Sequence, residues 1–200
     1  MKFILTGCLF LFLSGNLLSQ KLWTEEDRKY LLNKLITTRD SLVTETENLS
    51  DTQWNFREAP GRWTIKEVTE HIAIWELLLM HEVSKGLGAG PQPQWTSKPD
   101  SVYVNFILEE KPHISVEYTK PFTYTLPLGL NTGKNNLAWF LKMRNESIGY
   151  IKTAEEDLRM YYLKQTRPNV HQVYITIFGH CQRHLRQIRK IKANAGYPKG

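Results

Sequence analysis

Apolar residues recur along this chain at intervals of three and four in four long stretches, and an irregular stretch separates the second from the third. Residues 24–49 place Tyr30, Leu31, Leu35, Leu42 and Leu49 at helical spacing. Thr24 stands ahead of them as an N-cap, acids fill the first turn, and Asp27 comes close to a capping box. Pro60-Gly61 in the following link signals a turn. A second helix opens on Thr64 with a capping box to Glu67 and puts Val68, His71, Ile72, Trp75, Leu78 and Leu79 on one face, until Gly86, Gly88 and Gly90 end it. The third is predicted over 135–164, with Leu137, Phe140, Leu141, Ile148, Ile151 and Leu158 inward. After Pro168 the fourth carries Val173, Ile177, His180, His184, Ile188 and Ile191 as a bundle seam, and Gly196 and Pro198 stop it.

Residues 86 to about 133 follow neither period for long. Prolines at 91, 93, 99, 112, 121 and 127 rule out a long helix, while residues 114–118 and 122–126 alternate as short strands do. Two isolated strands are marginal in water, so the segment reads as a crossover laid against a helical body. Short, long and short connections between four helices predict an all-α fold, a four-helix bundle with a long irregular crossover between helices two and three. Such a crossover lets those two helices run in the same direction.

Composition adds a boundary. The length suits one domain, and 41% hydrophobic with 23% charged residues is ordinary for a globular chain. Residues 1–20 differ: Lys2 precedes a nearly unbroken apolar run from Phe3 to Phe12, then small polar residues lead to Ser19. That is the layout of a signal peptide, with an uncleaved N-terminal anchor as the alternative, and 21–200 is the folded domain. The expected location is therefore exported, periplasmic or extracellular. "LTGC" at 5–8 resembles a lipoprotein box, but only seven residues precede Cys8, and the layout disfavours acylation there. Removing this segment takes one lysine and no acid, so the formal charge falls from +6 to +5 and Cys181 is the single cysteine left. Packing, not a disulfide, must then stabilise the fold. The positive charge is mild and spread out, without the aromatic-lined basic patch that nucleic-acid binding needs.

The chemistry lies in the histidines. His180 and His184 are one turn apart and about 40° apart around their helix, so both rings can reach one point. His71 holds an equivalent inward position on helix two. Three imidazoles from two facing helices make three legs of a metal site with an open position. The competing reading is a set of core histidines satisfied by ordinary hydrogen bonds.

"LSDTQWNFREAPGRWTIKEVTEHIAIWE", and later "HCQRHLRQIRKI", resemble two blocks of the DinB/YfiT-like superfamily of metalloenzymes. Trp54, Arg57, Pro60, Trp63, Thr64, Ile65, Glu67 and His71 carry the first block; His180, His184, Leu185, Gln187 and Ile188 carry the second. The likeness runs from about Thr24 to Lys192, with the middle poorly matched. It implies a four-helix bundle holding a divalent metal ion, zinc or nickel, on His71, His180 and His184. It also implies hydrolysis, or thiol-dependent transfer, of a small-molecule substrate. The alternative is a non-catalytic metal- or small-ligand-binding module of the cell envelope, and pairing into a homodimer is the partner state such bundles often adopt.

A hydrolase also wants a general base, and no residue is assigned that role. Glu67 lies one turn before His71 but is explained by its cap, and Glu76 is predicted to point away. Thr176 is positioned to touch a bound ligand, and Trp63 and Trp75 are candidates either for pocket walls or for core. Cys181, turned about 100° from His180, is expected to be a packed or partly exposed thiol. His81, His113 and His171 are expected in surface or loop positions, and Arg183, Arg186, Arg189, Lys190 and Lys192 on a solvated face near the negative end of the helix dipole.

Overall fold

Reciprocal caps decide where the helices begin. In the computed structural model, which describes residues 22–108, 125–164 and 168–199, the Thr24 hydroxyl accepts from Asp27 N–H while the Asp27 carboxylate accepts from Thr24 N–H. That box opens α1 (Glu25–Thr46), and the same exchange between Thr64 and Glu67 opens α3 (Ile65–Gly88). Ser50 and Gln53 cap α2 (Asp51–Trp54), a single turn in the link that the hydrophobic pattern did not predict. Thr132 caps α5 (Gly133–Thr153), and Asn169 with Gln172 caps α6 (Val170–Lys192). Each box satisfies two of the backbone donors that a helix start leaves orphaned.

Two expectations for the middle of the chain need correcting. The crossover contains a helix, α4 (Asp100–Leu108), which begins just after Pro99, where a proline costs a helix nothing. The third long helix ends at Thr153, eleven residues short of the predicted end: Ala154 leaves the helical region, and Leu158 is buried from a turn instead. The expected strands at 114–118 and 122–126 lie, all but Thr125 and Leu126, outside the described residues. Among the described residues there is no strand, only one bridge, between Tyr162 and Asn169. In helix one Leu31, Leu35 and Leu42 are buried as predicted, while Tyr30 is exposed.

The long helices α1, α3, α5 and α6 form the bundle, with α5 and α6 each packed on both α1 and α3. Lys66 meets Asn136 and Glu76 meets Arg144, so α3 and α5 run in the same direction, as a long crossover permits. Arg28 reaches the Ala154 carbonyl while Leu35 receives Arg144, which makes α1 and α5 antiparallel. At one end of α6 the Trp23 indole donates to His171; at the other, Lys192 meets Glu45, so α1 and α6 are parallel. The start of the described chain is clamped at the first of these ends: the Asp157 carboxylate accepts from the amides of Leu22 and Trp23, and the Arg28 guanidinium lies 4.6 Å over the Trp23 ring. None of the described helices is long and apolar enough to cross a membrane.

The core has two apolar halves. One gathers Leu31, Leu35, Ile148, Leu158, Val173 and Ile177; the other gathers Leu42, Trp54, Ile72, Phe140, Leu185 and Ile188. Between them lies a charged layer. The Arg144 guanidinium bonds both oxygens of Glu76 at 2.6 and 2.8 Å, and also donates to the Leu35 carbonyl and the Thr38 hydroxyl. Both side chains are fully enclosed. Close approach matters at Gly133 as well, because a Cβ there would fall 2.2 Å from the Trp54 ring.

Removing one member of a buried ion pair leaves the other charge uncompensated, so Glu76→Ala should cost about 3–5 kcal/mol in urea denaturation. Replacing both partners at once, Glu76→Leu with Arg144→Met, should recover most of that loss. A double variant no more stable than the single one would show that the pair's role is not electrostatic.

Candidate metal centre

His71 lies in the second turn of α3, and His180 and His184 lie on successive turns of the antiparallel α6. The three rings meet, with centroids 4.5 Å (180–184), 4.8 Å (71–184) and 5.1 Å (71–180) apart. One nitrogen from each ring lies within 4.8 Å of the other two, and the Nε2 atoms of His180 and His184 are 3.1 Å apart. His71 and His184 are buried, whereas His180 keeps part of its surface open. Among the described residues this is the one group of three or more histidine, cysteine or carboxylate side chains arranged to hold a cation. The structure brings together the three histidines that the sequence reading grouped.

Outer partners orient the rings. The Thr125 carbonyl lies 2.7 Å from His71 Nδ1, and since a carbonyl only accepts, Nδ1 must carry the proton. His184 Nδ1 meets the amide oxygen of Gln187 at 2.8 Å in the same sense. Both rings therefore present Nε2 as a bare lone pair, the arrangement that second-sphere acceptors impose on metal-binding histidines. A tetrahedral zinc with Zn–N of 2.0–2.1 Å has its ligand nitrogens about 3.4 Å apart, close to the His180–His184 separation. The donor set thus fits a borderline divalent ion.

Electrostatics keeps the rings neutral. Burial pulls the pKa of His71 down to about 4, opposed only in part by its bond to Thr125. Burial, then the neighbouring His184 and His71, hold His180 well below the usual imidazole range. Burial and His71 do the same for His184, with Arg183 and Arg186 adding to the effect and the Gln187 bond opposing it. A neutral imidazole is the form that binds metal.

Aromatic walls and committed carboxylates complete the surroundings. The Trp63 ring lies 4.7 Å from His71 and stacks at 6.5 Å on His184, and Trp75 lies 5.2 Å from His180. Both indoles border the cluster, Trp63 buried and Trp75 half-buried. Glu67 is held by its cap and by Arg57 at 2.8 Å, so its carboxyl sits below the usual range despite burial. Glu76, as expected, points away from the rings, to Arg144. Thr176 is half-buried and spends its hydroxyl proton on the Gln172 carbonyl. Cys181 faces the charged layer, not the rings; burial pushes its thiol up to about 11.

His171 corrects an expectation, because it is buried in α6 and not on the surface. Its Nδ1 accepts from Trp23, and its Nε2 faces Asp100 at 3.3 Å and Arg159 at 3.1 Å. His81 is exposed as predicted, and His113 lies outside the described residues. Arg189 and Lys192 of the basic run pair with Glu45 across to α1. Sequence reasoning missed Glu70 and Thr125, both buried beside His71. A carboxylate next to a candidate ligand was the available signal for Glu70, but a backbone acceptor such as Thr125 leaves none.

A family model described as the DinB superfamily matches residues 34–188. A solved structure of YfiT from Bacillus subtilis, described as "a probable metal-dependent hydrolase with an unusual four-helix bundle topology", is similar with a TM-score of 0.51 and 12% identity, over 88% of this chain and 91% of that one. At that identity the likeness concerns the fold. No curated protein matches the chain.

Because the folded His71 pKa is depressed, the unfolded chain binds more protons between about pH 6.5 and pH 4. Stability from this group is complete above about pH 6.5 and is lost as the pH falls through 4. Denaturant melts of metal-stripped protein across that window should lose on the order of 3 kcal/mol through His71, a loss largely absent in His71→Gln. An unchanged slope in that variant would contradict the assignment.

Proposed function

The chain belongs to the DinB superfamily, and from that footing we propose that it is a metal-dependent hydrolase acting on a small amide or ester, with one divalent ion, zinc or nickel, held by His71, His180 and His184. The observation that carries this reading is the convergence of three neutral imidazoles, two of them with Nδ1 engaged and Nε2 bare. The description of YfiT as a probable metal-dependent hydrolase supports it. An ion held there would supply Lewis acidity, polarising a carbonyl and acidifying a water molecule.

The chain's own residues do the rest. The Thr125 carbonyl and Gln187 hold the His71 and His184 rings in one tautomer and one orientation, which lowers the cost of ordering them around an ion. Trp63 and Trp75 offer flat apolar surfaces for the non-reacting part of a small substrate. The part-open face of His180 gives the approach from solvent. A second reading, a module that holds metal without catalysis, is favoured by one fact: Glu67, Glu70 and Glu76 are each engaged elsewhere, leaving none of them as a ready general base. Export is proposed on the layout of residues 1–20 alone; those residues lie outside the described ones.

Elemental analysis of the purified protein should find about one divalent ion per chain, sharply reduced in His71→Ala, His180→Ala and His184→Ala. Undiminished metal in all three variants would remove the site. Turnover of a panel of amides, esters and thiol conjugates by the metal-loaded protein, abolished by a chelator, separates enzyme from metal-holding module.

A further inference from the structure

The residue beside the first ligand is a buried carboxylate with a specific job. Glu70 is 2% exposed, and its two oxygens accept from successive backbone amides of the crossover, Leu128 N–H at 3.1 Å and Gly129 N–H at 3.0 Å. Gly129 has φ +73°, a left-handed conformation that lets neighbouring amides turn to the same side and cradle an anion. Four residues upstream of Gly129 in the same strap, Thr125 is itself buried and gives its carbonyl to His71 Nδ1. Adjacent residues of α3 thus grip one short length of backbone in opposite senses: Glu70 accepts from it and His71 donates to it.

We infer that Glu70 is a positioning residue of the metal site, which fixes the 125–129 strap so that the Thr125 carbonyl can orient His71 toward the shared cation. This rests on the reading of the three histidines as ligands. The acceptor for His71 is main chain, so no side chain at 125 can be exchanged to remove it. Among the described residues, Glu70 holds the strap by accepting from its backbone on both carboxylate oxygens. Charge-assisted bonds of this kind are about twice as strong as neutral ones, which suits a strap that must not drift. Metal binding and docking of the strap are consequently linked, and the linkage is reciprocal: whatever loosens the strap weakens the metal, and the metal tightens the strap.

Zinc affinity by chelator competition, together with amide hydrogen exchange at Leu128 and Gly129, tests this on the full chain. Glu70→Ala should bind zinc about 10–100-fold more weakly, the usual cost of losing an outer-sphere partner. Glu70→Gln keeps one acceptor oxygen and should fall between that variant and the wild type. In the wild type, zinc should slow exchange at both amides, and in Glu70→Ala it should not. Leu158→Ala, which opens a cavity in the far half of the core, should lower stability and leave zinc affinity within about twofold. Wild-type affinity in Glu70→Ala, or exchange at 128 and 129 that ignores zinc, would overturn the inference while leaving the three ligands in place. A wild-type chain that binds no zinc or nickel would overturn both readings together.

Discussion

The Arg144–Glu76 pair is the constraint around which this bundle is built. Two charges taken wholly out of water are tolerable only if they meet, and these meet through two short bonds, with two further guanidinium protons placed on α1. A slip of α3, α5 or α1 along its axis by a fraction of a turn would break that arrangement. An apolar seam alone is more forgiving, since leucines and isoleucines pack acceptably in several registers. The charged layer therefore selects one alignment of three helices.

That alignment determines where the imidazoles stand. Glu76 fixes α3 five residues beyond His71, and Cys181, the neighbour of His180, faces the same charged layer from α6. With both helices indexed to one plane, His71 comes opposite His184 and His180 without a loop having to carry any ligand. Among the described residues, the crossover contributes the acceptor for His71. Rigid rods thus carry the ligands, while a strap orients one of them, a division that favours preorganisation.

Much of this could be read from the chain. The caps at Thr24 and Thr64, the apolar stripes and the i, i+4 histidines are local signals, and local signals survive folding intact. The pairing of Arg144 with Glu76 is legible too. Arg144 sits at helical spacing between Phe140 and Ile148, and Glu76 lies four residues after Ile72, so each occupies a stripe position meant for an apolar side chain. A cation on one stripe and an anion on another predict each other. By contrast, the end of α5 at Thr153 and the burial of His171 depend on partners more than a hundred residues away, Arg28 and Trp23. The role of Thr125 belongs to its backbone and has no letter in the sequence.

The clamp on Leu22 and Trp23 has a practical corollary. It sits beside His171, thirteen residues before His184 on the same rod, which is about 20 Å along the axis. Cargo fused ahead of Leu22 would hang from the pole of the molecule remote from the imidazoles. A purification handle or surface linker attached just ahead of Leu22 would leave the mouth beside His180 unobstructed, which makes that position the natural point for immobilising the protein on a sensor chip.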